Sequence, residues 1–294
     1  MSNSPNLAKS ERDGNRLIIG CGYLGKRVAQ QWMGHHNKVF ALTRSPSRAE
    51  QLRSEGFEPI VGDVLQSESL GELPEVECVL CAVGHNRRPG HSLHNLYVEG
   101  LSNVLDRLRA PARFLYVSST GVYGQRDGSE VDEESETQPL DEAGQAVLEA
   151  EHFLKERLPE AIILRFAGIY GPGRLLREDS VRAGEPLPTD ANLWLNLIHV
   201  EDGATAVERA ERRGQPGQIY NICDDHPVQR GEFFQHLAHL LGAPAPTFDT
   251  SVVAGNSANR RISNRKMHEE LKVPLQYPSF QEGLAGSLAD HLLV

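Results

Sequence analysis

The run Leu17-Ile18-Ile19-Gly20-Cys21-Gly22-Tyr23-Leu24-Gly25-Lys26-Arg27-Val28 decides the fold. An apolar triplet meets a Gly20-x-Gly22-x-x-Gly25 turn, and Lys26 to Met33 continues with helical spacing. The stretch therefore reads as strand, glycine turn, helix. In such a turn the first glycine permits the tight bend. The second lets the main chain approach a pyrophosphate, and the third lets helix and strand pack closely. The helix N-terminus then faces the anion. Cys21, Tyr23 and Leu24 fill the variable positions. The spacing alone would fit any tight strand–helix turn. Its place on the first strand, ahead of further strand–helix units, makes it a dinucleotide site.

Those units follow in order. Val39 to Leu42 reads as a strand, Ser47 to Glu55 as a helix and Phe57 to Val61 as a strand. Val76 to Val83 is apolar apart from Glu77, the mark of a buried parallel strand. Leu93, Leu96, Leu101, Val104, Leu105 and Leu108 form a stripe that predicts one long helix. Arg113 to Val117 is a strand, Glu142 to Leu158 a helix and Ala161 to Phe166 a strand. The alternation predicts an α/β protein with a Rossmann-type doubly wound parallel sheet. The pattern weakens after Tyr170, where Gly171-Pro172-Gly173 and Pro186-Leu187-Pro188 signal turns. The expected organisation is a disordered leader over 1–15, a dinucleotide-binding domain over 16–170 and a smaller C-terminal substrate lobe over 171–294. Segments near 193–222 return to the first domain. Helices are expected near Gly231 to Leu241 and Lys266 to Leu271.

With 294 residues and 39% apolar content the chain can bury a sizeable core. A formal charge of −10 argues against a nucleic-acid partner held by bulk positive charge. No apolar run is long enough to span a membrane, and residues 1–15 lack the apolar core of a signal peptide. Four cysteines are too few for a disulfide scaffold, which points to a reducing cytosol. Cys78 and Cys81 have redox-like spacing, but they fall within the buried strand and read as inert thiols. The acid-rich stretch Gln125 to Glu142 reads as a solvated loop ahead of a helix, its alternative being a metal or cationic-substrate site. No metal is expected.

The second strand ends Leu42-Thr43-Arg44-Ser45, where an NAD site would usually place an acidic residue for the ribose hydroxyls. Arg44 can instead fork onto a 2′-phosphate, so NADP is preferred over NAD. Arg44 could also stack over adenine. Asp63, followed by Val64, could accept from the adenine amino group or cap a helix.

These residues resemble the extended short-chain dehydrogenase/reductases, the NAD-dependent epimerase/dehydratase family. The resemblance is carried by the glycine turn, Val98-Glu99-Gly100-Leu101-Ser102-Asn103-Val104-Leu105 and Tyr116-Val117-Ser118-Ser119-Thr120-Gly121-Val122-Tyr123-Gly124. Leu164 to Arg174, Ile198 to Asp202 and Tyr220 to Asp225 extend it across about Arg16 to Leu288. It implies a cofactor set completed by Ala82, Val83, Gly84, Ser118, Phe166 and Ala167. It also implies a homodimer through the fourth and fifth helices. The family's chemistry uses a tyrosine as general acid/base and a lysine four residues later, which lowers the tyrosine's pKa. A serine on the preceding strand, here Ser119, shares the substrate oxygen. This chain lacks the pair: the matching helix places Ala143 and Val147 there, and none of the seven tyrosines has a lysine four residues on. The resemblance is thus to atypical members without the usual acid/base.

Tyr123 is then the leading candidate beside Ser119, with Tyr170, His85, His199 and held water behind it; a structural histidine fits His199 as well. The loop His85-Asn86-Arg87-Arg88-Pro89-Gly90-His91 should overhang the carboxyl end of the sheet. His85, Arg87, Arg88, Arg174 and His199 would suit an anionic small-molecule substrate; a solvated basic loop is the plainer reading. Two functions follow. One is an NADP-dependent oxidoreductase or epimerase-like enzyme with a non-standard proton donor, acting on a small polar carbonyl or sugar-like substrate. The other is a catalytically inactive NADP-binding sensor or scaffold.

Overall fold

The computed structural model describes residues 14–34, 38–84, 91–109, 111–252 and 257–290. Its centre is a seven-stranded sheet built from β1 (Arg16–Ile19), β2 (Val39–Thr43), β3 (Glu58–Val61), β4 (Cys78–Cys81), β5 (Arg113–Ser119), β7 (Ile162–Phe166) and β11 (Ile219–Ile222). Short pairs use β6 (Glu130–Val131), β8 (Gly168–Tyr170), β9 (Trp194–Leu195), β10 (Leu197–His199), β12 (Val228–Gln229) and β13 (Arg261–Ile262). The helices are α1 (Tyr23–Gly34), α2 (Pro46–Ser54), α3 (Gly100–Arg107), α4 (Glu142–Arg157), α5 (Glu178–Arg182), α6 (Val200–Arg213), α7 (Arg230–Leu241) and α8 (Phe280–Asp290).

The central order is β11-β7-β5-β4-β1-β2-β3, with every neighbouring pair parallel. The chain moves outward from β1 to β3 and then returns to lay β4 on the other side of β1. A crevice must open at that reversal, outside the carboxyl ends of β1 and β4. β11 comes back from far along the sequence to pair Ile219 with Ile163 and Ile222 with Phe166.

Strand alternation sorts the core into two layers. Ile18, Leu80 and Leu115 face Val28, Trp32, Ala204 and Val207 of α1 and α6. Leu17, Ile19, Val79 and Phe114 face Leu101, Val104, Ala150 and Leu154 of α3 and α4. Cys78 lies in the first layer and Cys81 in the second, so the two thiols point to opposite faces. Burial raises both, Cys81 to about 12, as expected of inert thiols. A third cluster joins Tyr170, Val181, Phe233, Phe234, Leu237, Phe280 and Leu284.

Local chemistry sets the helix starts. Ser45 accepts from the Arg48 amide at 3.3 Å and Pro46 opens α2. Asp141 accepts from the Gly144 amide at 2.7 Å and caps α4, whose last turn carries Lys155 and Arg157. This is what the acid-rich stretch does at its end. Among the described residues no cluster of histidine, cysteine and acidic side chains could hold a metal, and no helix is long and apolar enough to cross a membrane.

Three expectations change. The stripe from Leu93 does not make one regular helix: Asn95–Glu99 is a π turn, closed by the Gly100 amide on the Asn95 carbonyl, and α3 follows. The wider turn breaks the 3.6-residue period. Met267–Leu271 is likewise a π turn. The 14-residue helix α6, absent from the sequence reading, packs on α1. Its buried face is Val200, Gly203, Ala204, Ala206, Val207 and Ala210. A Cβ on Gly203 would lie 3.1 Å from Phe166 and 3.4 Å from Leu24, which shows how closely this helix approaches.

Candidate functional site

The crevice is a cleft of about 630 Å³ around the glycine turn. Each glycine has its own reason. Gly20 has φ +96°, and a Cβ there would sit 2.4 Å from the Ala82 carbonyl oxygen. A Cβ on Gly25 would lie 2.4 Å from the Gly20 carbonyl oxygen and 3.2 Å from Ile18. A Cβ on Gly22 would meet nothing within 4 Å. Two glycines are thus required by the protein's own packing, whereas Gly22 leaves space on the cleft wall. The first-turn amides of α1 have no intrahelical partners and suit an anion there. Burial pushes the Cys21 thiol up to about 11, so it stays protonated beside them.

One end of the cleft is walled by Thr43, Arg44, Asp63, Val64 and Leu65. Arg44 is exposed, and no ion pair involves it among the described residues. Ser45 does not line the cleft: its hydroxyl caps α2 and meets Ser47 at 2.8 Å. Asp63 Oδ1 accepts from the Leu65 amide at 3.1 Å, so one carboxylate oxygen holds its own turn.

The other end carries Ala82, Val83, Gly84, Val117, Ile169 and Arg174 as expected or adjacent residues, together with His91, the last residue of the loop expected over the sheet, and Ser92 and Leu96, which were not expected in the site. His85, Arg87 and Arg88 lie outside the described residues. Tyr23 ties the glycine turn to the segment after β8. Its hydroxyl donates to the Pro172 carbonyl at 3.0 Å, and the Arg27 and Arg174 guanidiniums lie 4.3 and 5.3 Å from its ring. Burial raises the Tyr23 pKa against the pull of both cations. Arg27 also pairs with Glu201 at 2.5 Å.

The structure places several expected site residues away from the cleft. Ser118 is buried, and its hydroxyl donates to Glu151 on the α4 side of the sheet. The alternation that turns Val117 toward the cleft turns Ser118 from it. Phe166 packs against α6, and Ala167 joins a small cluster with Val122, Val147 and Cys223. Ile169 takes their place on the wall. His199 is 1% exposed. Its Nδ1 accepts from the Glu201 amide at 3.3 Å and caps α6, so the proton sits on Nε2, 3.2 Å from Ser287. Its ring packs on Tyr277 at 4.0 Å, and the structural reading of this histidine fits.

Tyr123 is fully buried. Its hydroxyl donates to Asn221 Oδ1 at 2.9 Å and accepts from Arg165 Nη1 at 2.9 Å. Arg165 also clamps Glu151 with two bonds, at 2.9 and 2.6 Å. Burial raises the Tyr123 pKa despite Arg165. Burial also opposes the Arg165 charge, yet Glu151 outweighs it and the guanidinium is held protonated more firmly than usual. This buried set joins β5, β7, β11 and α4 below the cleft. A hydroxyl committed there does not reach a substrate. Tyr170 is buried too, and burial raises its pKa well beyond the usual tyrosine value. Ser119, half-buried at the end of β5, accepts from the Gly121 amide at 3.0 Å. On α4, Val147 packs into the small cluster, whereas Ala143 is exposed.

The arrangement can therefore hold an anion at the turn, a second anion near Arg44 and a planar group between Val83, Val117 and Ile169. The chain is similar to protein YeeZ of Escherichia coli, 29% identical over 270 residues that cover 89% of this chain and 95% of that one. A solved structure of a functionally unknown conserved protein from Silicibacter pomeroyi is 29% identical, with TM-score 0.77 over 94% of this chain and 99% of that one. UDP-glucose 4-epimerase from Thermotoga maritima, solved with UDP-glucose, shares the fold at 19% identity, with TM-score 0.78 over 95% and 99%. The model of the NAD dependent epimerase/dehydratase family matches residues 17–223. With that match across most of its length, and with the family's glycine turn at the reversal of its sheet, the chain belongs to the NAD dependent epimerase/dehydratase family.

Proposed function

We propose that the chain is an NADP-dependent oxidoreductase or epimerase-like enzyme of this family, with a proton donor other than the family's tyrosine–lysine pair. The observation that carries this reading is the cleft wall itself: open space at Gly22 and an exposed Arg44 at the end of β2. The pyrophosphate would lie on the Gly20–Gly25 turn and the α1 amides. Arg44 would fork onto the 2′-phosphate, with Thr43 and Asp63 beside the adenosine. The nicotinamide would rest among Val83, Gly84, Val117 and Ile169, and when bound it supplies the hydride. Ser119 would orient the substrate carbonyl, its lone pair held by Gly121 and its proton left to donate. His91, on the cleft wall, is the side chain best placed to move a proton. The substrate would be a small polar carbonyl or sugar-like molecule bearing a negative charge, bound between the 16–170 and 171–294 portions of the chain. Four free cysteines suit a reducing cytosol.

A non-catalytic NADP-binding sensor is favoured by one observation: Tyr123, Tyr170 and His199 are all buried away from the cleft. Both readings require NADP selectivity. Calorimetric titration of wild type and Arg44→Glu with NADP and NAD tests it. The expected result is a loss of about tenfold or more for NADP, with NAD changed far less. Equal losses would remove Arg44 from the cofactor site. NADPH oxidation with a panel of carbonyl compounds then separates enzyme from sensor.

A further inference from the structure

Three arginines are buried among the described residues: Arg16, Arg165 and Arg260. Arg16 pairs with Glu211 at 2.6 Å, and Arg165 is clamped by Glu151. Arg260 is 8% exposed and has no such partner. Its one hydrogen bond runs from Nη2 to the Thr120 carbonyl at 2.5 Å, and its Nε is buried with no acceptor. Among the described residues the guanidinium therefore meets one carbonyl and no carboxylate, and its Nε–H has no acceptor. The Asp141 carboxylate acts on it only from a distance, because that side chain caps α4. Burial pulls the Arg260 pKa down to about 10, with Tyr123 and Asp141 opposing, so the group keeps its charge at neutral pH. A buried cation without a counter-charge is costly, and proteins rarely keep one without a use.

Its place in the fold says what the use is. Thr120 directly follows Ser119 at the carboxyl end of β5. The Arg260 carbonyl accepts from Asn196 Nδ2 at 2.9 Å, and the Asn196 carbonyl accepts from the Gly168 amide at 3.0 Å, just beyond β7. The Arg260 main chain is thereby tied to the segment after β7, and the Thr120 bond holds the guanidinium at the carboxyl end of β5, the side of the crevice where a substrate would meet the nicotinamide. We propose that Arg260 is a substrate-binding residue that takes an oxyanion, a carboxylate or a phosphate, beside Ser119. The cation that the family would place at Val147 is missing, and Arg260 brings a positive charge to the same end of the sheet from the opposite side of the sequence.

The proposal rests on the reading of the cleft as a dinucleotide site only for what lies next to the anion. The test is thermal denaturation of the full chain, as wild type, Arg260→Met and Arg260→Lys. Malonate and inorganic phosphate are the probes, against chloride at matched ionic strength, each with and without NADP. The wild type should melt about 3 °C higher at a probe concentration some tenfold above its Kd. Arg260→Met should lose that rise and should melt above wild type in chloride alone, since an uncompensated charge is gone. Arg260→Lys should keep part of the rise. A response to malonate alone assigns a carboxylate, and a response to phosphate alone assigns a phosphate. No rise in wild type, or an equal rise in Arg260→Met, would overturn the proposal. A wild type that responds to malonate but fails to bind NADP would refute the dinucleotide reading while leaving Arg260 in place.

Discussion

Replacing Gly22 and Gly25 with alanine, one at a time, should separate the ligand's demands from the protein's. At Gly25 the new Cβ would lie 2.4 Å from a backbone carbonyl oxygen that has little room to move. Overpacking of this kind costs about 1–3 kcal/mol, against which alanine returns at most about 1 kcal/mol of helix propensity. The net loss of up to about 2 kcal/mol should lower Tm by up to about 8 °C in a chain of this size. At Gly22 the methyl meets nothing within 4 Å, so Tm should stay within about 1 °C of wild type. The methyl would instead stand where the pyrophosphate must approach. Tenfold weaker NADP binding corresponds to about 1.4 kcal/mol, and a steric obstacle at the phosphates should cost at least that. Scanning calorimetry gives the first quantity and isothermal titration the second. A Gly22→Ala protein that melts normally and binds NADP as tightly as wild type would show that the ligand does not pass over this residue.

Glu151→Gln should destabilise by about 3–5 kcal/mol in urea denaturation, because it strands the buried Arg165 charge. Pairing Glu151→Leu with Arg165→Met should recover much of that loss, and a single-variant cost below about 1 kcal/mol would mean that the pair is hydrated. Asp224 offers a pH signature. Burial, with Asp225, Asp202 and Glu282 adding negative charge, raises its carboxyl well above the usual range, and Oδ2 is buried without a partner. The folded state therefore holds this proton more tightly than the unfolded state does. Its contribution is complete below the ordinary aspartate value of about 3.9 and declines as pH climbs toward the raised folded value. Asp224→Asn should flatten that decline and raise Tm at pH 7; a steeper decline in the variant would refute the assignment.

The glycine turn, the parallel sheet and its strands β1 to β5 and β7 were legible because branched apolar residues at strand spacing leave little choice of period; β6, inside the acid-rich stretch read as a loop, was not. Helix α6 was not, because its core face is mostly alanine and glycine, with only Val200 and Val207 as larger apolar residues and none of the leucine stripe that marks the other helices; the small residues are what let the helix approach α1 so closely. Cleft members after the switch point were mixed. Ala82, Val83 and Gly84 follow a strand whose end is sharply marked. Ser118 and Ser119 are adjacent and chemically alike, and only the pleat decides which one meets Glu151. Tyr123 had the right residue type, but the short 3-10 turn Thr120–Val122 carries it under the sheet edge. His91, Ser92 and Ile169 come together only through folding, and Arg260 had no local pattern to mark it.

The late return of β11 bears on how the polypeptide emerges from the ribosome. Through Tyr170 the growing chain has formed every other strand of the central sheet, yet the outer side of β7 has no neighbour until Ile222 has been synthesised. For that interval its main-chain donors and acceptors are open to pairing with another nascent chain. A fragment ending near Tyr170 should retain this sticky margin permanently and associate through it, whereas one extended past Ile222 should not.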